Sequence, residues 1–285
     1  MKGGNKCSDF KEPKLTCYTL PQLQFIAEKW NEKEKKEKIS DIKSKSQEEL
    51  WKELKEKFKE SDERKWSDIT RSQNFKNQFA PDLPREWYSE PNAWLSDADI
   101  NEVMRRFEVE FEGFHFLEAS PIDFDKKDKK GNCLVSNLCG YNYEDLASKY
   151  KTFGMVFNTD PSTKDGQHWI SLFIELQKGN IYFFDSTGNE PPGEVIYLMN
   201  KLGTQGNTYI STINNAKTKT KIYVNKFSHQ LKDTECGIYS LFFIFFMLTD
   251  GDIKKLNSKR IPDEEIQKLR GFFFNDEKKI YENKN

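Results

Sequence analysis

The stretch HWISLFIELQKGNIYFFDS, residues 168–186, reads as two strands joined by a tight turn. WISLFIEL and NIYFF are apolar runs of strand length, and QKG between them carries the turn chemistry of a hairpin. Antiparallel strands joined in this way bring their far ends side by side. His168 begins the first strand and Asp185 ends the second, so the two side chains are expected to meet. FGMVFNT upstream adds a third strand through the charged loop PSTKDGQ. TYISTI and KIYVNKF read as further strands, and VIYLMNKL, after Pro-Pro-Gly, as a helix. The expected class is α+β, a central mixed sheet flanked by helices.

A second stretch, DTECGIYSLFFIFFML at residues 233–248, sets Cys236 and Gly237 at the head of a long apolar run. LFFIFFML falls far short of the roughly 20 residues that span a bilayer, so no membrane span is expected and the run reads as core. A buried helix fits it, with a strand as the alternative. A helix beginning at Cys236 would turn unpaired N–H groups and its positive dipole end toward the sulfur. Both favour a thiolate and lower the thiol pKa from about 8.5. Gly237 is expected to let the backbone turn tightly and a substrate approach.

A cysteine nucleophile also needs a proton acceptor and an oxyanion donor. Three histidines are available. His168 sits at a strand end, firmly held yet able to face a cleft. His115, in the aromatic cluster FEGFHF, reads as a packed residue, and His229, on the loop leading to Cys236, is a second candidate base. Asp185 would orient the His168 imidazole, the alternative being that it only caps the turn DSTGN. Gln230, six residues before Cys236, offers a side-chain amide for the oxyanion beside the Cys236 backbone N–H.

The 285 residues leave room for one large domain or two small ones, and the amino-terminal third differs from the rest. Residues 28–60 hold 11 Lys and 10 acidic residues with interleaved signs, the pattern of a solvated helical face. Ser46 and Glu49 form a capping box ahead of the stripe Leu50, Leu54 and Phe58, and Pro21 lies in the first turn of an earlier helix. This part is expected to be a helical arm, residues 1–85, with FAPDLPREWYSEPNAW as linker and a core domain over 86–285. Ser96 caps a helix whose buried face is Ile100, Val103, Met104 and Phe107, and RIPDEEIQKLRGFF closes the chain as a helix. The net charge of −1 gives no basic field for nucleic acid. Five cysteines without a CxxC pair, and few histidines, argue against zinc and for reduced thiols. No phosphate-binding glycine loop is present, so no cofactor is expected.

The order His168-Trp169, Asp185, Gln230, Glu235-Cys236-Gly237 resembles the clan of adenain and the ubiquitin-like-protein-specific cysteine proteases, clan CE. Within it, TFGMVFNTDPSTKDGQHWISLFIE, FFDSTGNEPPGEVIYLM and DTECGIYSLFFI look like the polyprotein-processing proteases of large DNA viruses. The resemblance implies a papain-like/adenain-like core behind a helical arm. It implies an endopeptidase that cuts viral structural polyproteins after Gly-Gly-X sites, in the host cytoplasm and the virion, and a monomer is the expected state. It also implies that Trp169 and Trp94 line a narrow slot for glycine, with Asn158 as a further substrate contact. A deubiquitinase or ubiquitin-like-protein protease, or a non-catalytic interaction module, stand as alternatives.

Overall fold

In a computed structural model of the chain, the described residues are 7, 15–60, 62–71, 73–76, 78–133, 140–214 and 219–276. They form two compact units, Met1–Leu83 with Gly271–Asn285, and Pro84–Arg270.

The first unit is helical. It contains α1 (Leu20–Lys33), α2 (Gln47–Phe58), a 3-10 helix (Glu63–Thr70) and the single turn α3 (Gln73–Lys76). The α2 capping box forms as its sequence dictates: Ser46 Oγ accepts from the Glu49 N–H, and the Glu49 carboxylate accepts from the Ser46 N–H. Tyr18, Leu23, Ile26, Leu50, Leu54 and Trp66 make a small core. The interleaved charges pair across the outside, as in Lys52–Glu48 and Lys45–Glu53. One expectation is corrected here. Cys7 and Cys17 form a disulfide, their Cα atoms 5.1 Å apart, within the range that two sulfurs bridge. Cys133 is also disulfide-bonded, and Cys139 lies outside the described residues. Among the described residues the free thiol is Cys236.

FAPDLPREWYSEPNAW, expected as a linker, is divided between the units. Phe79 and Ala80 are buried in the first, and Asn275 fixes the backbone of Ala80, Pro81 and Leu83. From Pro84 the chain enters a 3-10 helix (Arg85–Tyr88) of the second unit, with Trp87 buried.

In the second unit, α4 (Asp97–Glu110) leads to β1 (Phe114–Phe116) and β2 (Ser120–Pro121). Then follow α5 (Tyr143–Lys149), β3 (Thr152–Asn158), β4 (Trp169–Glu175) and β5 (Asn180–Phe184). α6 (Gly193–Asn214) crosses to β6 (Lys221–Val224), and α7 (Cys236–Leu248), α8 (Ile253–Leu256) and α9 (Asp263–Lys268) follow. The sheet runs β1-β3-β4-β5-β6, with β2 also on β3. β3-β4 and β4-β5 are antiparallel, and β1-β3 and β5-β6 parallel, which makes it mixed. Alternate residues of β3, β4 and β5, such as Phe153, Leu172 and Phe183, pack on α5 and α6. On the other face, Phe184 stacks on Phe243 of α7 at 4.8 Å, and Phe245 meets Phe107 of α4 at 5.7 Å. The result is three layers, helix–sheet–helix.

α7 is apolar nearly all round and therefore buried. Ile238, Leu241, Phe243 and Ile244 have no measurable exposure, and each such side chain contributes roughly 1.5–3 kcal/mol. That anchoring fixes the end that carries Cys236.

TYISTI is not a strand. It forms the last turns of α6, a single 22-residue helix. Two features override its β-branched residues. The hydroxyls of Thr204, Thr208 and Thr212 each donate to the carbonyl four residues back, which satisfies them inside a helix. Gly206 lets α6 approach closely, because a Cβ there would lie 2.7 Å from Thr220 and 2.8 Å from Tyr143. The closing helix forms in two short pieces, Asp263–Lys268 and Arg270–Phe273, broken at Leu269.

The Tyr143 hydroxyl, from α5, donates 2.7 Å to the carbonyl of Leu176 at the β4–β5 turn. Tyr143→Phe should leave that buried carbonyl unsatisfied and cost about 1–3 kcal/mol, seen as a lower midpoint in urea unfolding with an unchanged slope.

Candidate active site

β4 pairs with β5 from Ser171↔Phe184 to Glu175↔Asn180. Continuing the ladder by one pair sets Asp185 opposite Ile170. His168, two residues further out, lies diagonal to Asp185 on the same face, within side-chain reach. The outer side of the ladder holds it too, where the His168 carbonyl accepts from the Thr159 N–H at 2.8 Å. His168 Nε2 and Asp185 Oδ1 are 2.7 Å apart. Asp185 is 4% exposed, and its Oδ1 also accepts from the Thr187 N–H and hydroxyl. The carboxylate therefore both orients the imidazole and caps the DSTG turn, which closes through Gly188 N–H to the Asp185 carbonyl with φ at +77°.

Cys236 is the first residue of α7 and 2% exposed. Its side chain lies near enough to His168 to favour the protonated imidazole. With Nε2 given to Asp185, the nitrogen facing sulfur is Nδ1. Burial alone would lower the His168 pKa, but the hydrogen bonds and charges of Asp185 and Cys236 outweigh it and lift it to about 9. Burial pushes the Asp185 carboxyl up, and the bonds from His168 and Thr187 pull it net below the usual carboxylate range. Asp185, hydrogen-bonded to His168, and Cys236 beside that imidazole thus gather at one end of the sheet, at the start of a helix.

Residues 148–284 match the family model described as the Ulp1 protease family, C-terminal catalytic domain. An African swine fever virus protein named SUMO-1 cysteine protease is 33% identical over 190 residues, covering 63% of this chain and 67% of that one. The chain belongs to the Ulp1 protease family. It is a cysteine protease. A putative thiol protease of Acanthamoeba polyphaga mimivirus is 31% identical over 189 residues, 65% of this chain and 58% of that protein. A crystal structure of the African swine fever virus protease superposes with a TM-score of 0.64 at 22% identity, over 97% of each chain, and so shares the fold.

The other expected residues fall in several places around this Ulp1-type core. Gln230 is 6% exposed, with its Oε1 accepting from the Ser186 hydroxyl at 2.6 Å and its Nε2 donating to the Lys232 carbonyl. Trp169 is 7% exposed, donates Nε1–H to the Leu95 carbonyl at 2.9 Å, and lies against Gly237. Trp94 is 46% exposed on an open groove formed by Glu90–Trp94 and Thr234, two residues from Cys236. Asn158 is engaged locally, where its Oδ1 accepts from the Asp160 and Gln167 N–H groups and shapes the β3–β4 loop. His115 pairs with Glu108 at 2.6 Å and stacks on Tyr150, as a packed residue should. His229 is fully buried, its Nδ1 accepting from the Ile261 N–H, and burial then Arg260 push its pKa down to about 4.

Gly237 differs from expectation in its purpose. Its φ is not positive, so no tight turn requires it. A Cβ there would come within 3.1 Å of Leu95 and 3.3 Å of the Trp169 ring, so the glycine permits close packing of α7 against them. Ser186 was missed from sequence. Its carbonyl accepts from both the His229 and Gln230 N–H groups at 2.8 Å, and its hydroxyl sets the Gln230 amide. Its place directly after Asp185 was the available signal.

Among the described residues no group of His, Cys, Asp and Glu side chains can hold a metal ion, and no helix is long and apolar enough to cross a membrane.

Two outcomes follow from this geometry. Replacing the carboxylate in Asp185→Asn removes charge that favours the imidazolium, so the His168 pKa should fall from about 9 toward the ordinary 6.5, as read by NMR titration of the ring. Gly237→Ala should lower stability by about 1–3 kcal/mol through overpacking, and lower kcat more than it raises KM because the shifted residue adjoins Cys236.

Proposed function

We propose that Cys236 is the nucleophile, His168 the acid–base group, Asp185 its orienter and Gln230 the oxyanion donor of an endopeptidase. The reading is carried by one observation: the His168 ring spans the Asp185 carboxylate and the Cys236 sulfur at the head of α7. In the resting enzyme His168 holds the proton and the sulfur is a thiolate. The sulfur attacks the scissile carbonyl carbon, and the carbonyl electron pair moves to oxygen. The Cys236 backbone N–H and the second Nε2–H of Gln230, the one not given to Lys232, meet that oxyanion. His168 Nδ1–H protonates the amine nitrogen as the C–N bond breaks, leaving a thioester. His168 next takes a proton from water as that water attacks the thioester, and collapse of the adduct expels the Cys236 thiolate and the carboxylic acid, which restores the resting pair.

The substrate proposed is a viral structural polyprotein cut after Gly-Gly-X, in the host cytoplasm and the virion. In this reading Trp169, packed against Gly237, and the exposed Trp94 line the substrate path, because flat aromatic walls favour residues without a side chain. The relative named as a SUMO-1 cysteine protease supports a second reading, a ubiquitin-like-protein protease acting on conjugates.

Cleavage of peptides carrying Gly-Gly-X, Gly-Gly and Ala-Ala sites separates these. The first reading predicts cutting of Gly-Gly-X without reaction with ubiquitin-like vinyl-sulfone probes. It predicts no cutting by Cys236→Ala, and a loss of roughly 10²–10³ in kcat for Gln230→Ala. Reaction with the probes and indifference to the peptides would select the second reading. Equal cleavage by Cys236→Ala would refute both.

A further inference from the structure

Glu235 stands directly before Cys236 as the N-cap residue of α7, and it is 2% exposed. A buried carboxylate one residue from the sulfur opposes formation of a thiolate, because like charges in a low-dielectric setting repel strongly. Arg270, 6% exposed, answers it: Nε donates 3.0 Å to Glu235 Oε2. The same guanidinium donates to the Ala93 carbonyl at 3.0 Å and to the Thr234 carbonyl at 3.2 Å. Its centre lies 4.2 Å from the Trp87 ring, and Trp87 Nε1–H shares the Ala93 carbonyl at 2.9 Å. Ala93 and Thr234 both line the groove that bears Trp94. The planar fork of one arginine thus ties the residue beside the nucleophile to two residues that line that groove, a geometry lysine cannot reproduce.

We infer that Arg270 is a positioning residue with two separable effects. It cancels the Glu235 charge beside the Cys236 thiolate, and it holds the Ala93 and Thr234 walls of the groove at the distance a substrate needs. The inference rests on Cys236 being the nucleophile.

The test compares wild type, Arg270→Met, Glu235→Gln and the double variant in the full chain. Each is measured for the pH midpoint of Cys236 alkylation by iodoacetamide, for kcat and KM on whichever peptide or precursor the wild type cleaves, and for thermal unfolding. In Arg270→Met the alkylation midpoint should move to higher pH, the thiolate fraction at neutral pH should fall about tenfold or more, and KM should rise. The double variant should recover the midpoint and most of kcat but keep the raised KM, because the charge is gone while the carbonyls remain untied. Glu235→Gln alone should move the midpoint to lower pH, which keeps the charge effect testable if Arg270→Met does not fold. Wild-type midpoints in both Glu235→Gln and Arg270→Met would overturn the charge effect, and a wild-type KM in Arg270→Met would overturn the groove effect. Both results leave the assignment of Cys236 standing. Failure of wild-type Cys236 to alkylate or cleave would defeat that assignment, and this inference with it.

Discussion

The gathering of Asp185, His168 and Cys236 at one end of the sheet is the constraint on which the second unit is organised. It requires three elements to end at one place: the start of β4, the end of β5 and the head of α7. The hairpin register supplies the first two ends together. α7 supplies the third, and it can do so only because its length is buried against the sheet and α4. The apolar run LFFIFFML has no chemistry of its own. Its burial holds a thiol within reach of an imidazole, against the loss of backbone freedom that such a fixed geometry entails.

Two histidines of this chain show how far environment sets their chemistry. His168 and His229 are both largely removed from water. His229 gives its Nδ1 lone pair to a backbone N–H beside Arg260, so burial wins and its pKa drops to about 4. His168 faces a carboxylate on one side and a sulfur on the other, and the same desolvation is overcome, with a pKa raised to about 9. One is fixed neutral and works as a structural acceptor. The other holds its proton through the neutral range, as the proposed acid–base role requires. The loop of His229 nevertheless serves the site, because Ser186 binds both His229 and Gln230 through one carbonyl. The strand end that carries Asp185 thereby also places the amide proposed for the oxyanion.

Local features were legible in the sequence. The meeting of His168 with Asp185 follows from two strands and a three-residue turn, and the caps at Ser46 and Ser96 follow from residues three apart. Features that depend on distant partners were not. TYISTI reads as strand until Gly206 is seen against Tyr143 and Thr220, contacts that only the packed α6 makes. The glycine after Cys236 reads as a turn residue, whereas its role is set by Leu95 and Trp169, far away in sequence. Asn158 reads as a substrate contact, and the fold adds a local task that the sequence did not show, its Oδ1 accepting from two N–H groups of its own loop. The Cys7–Cys17 bridge and the Glu235–Arg270 pair join residue types that carry no periodic signal, so only the fold reveals them.

The central claim is that His168 keeps Cys236 as a thiolate. The most direct measurement is the rate of Cys236 alkylation from pH 5 to 9 in wild type and in His168→Ala, with the modified residue located by mass spectrometry. Wild type should alkylate much faster than His168→Ala at neutral pH, with the difference closing as the pH rises. Identical profiles in the two proteins would contradict it.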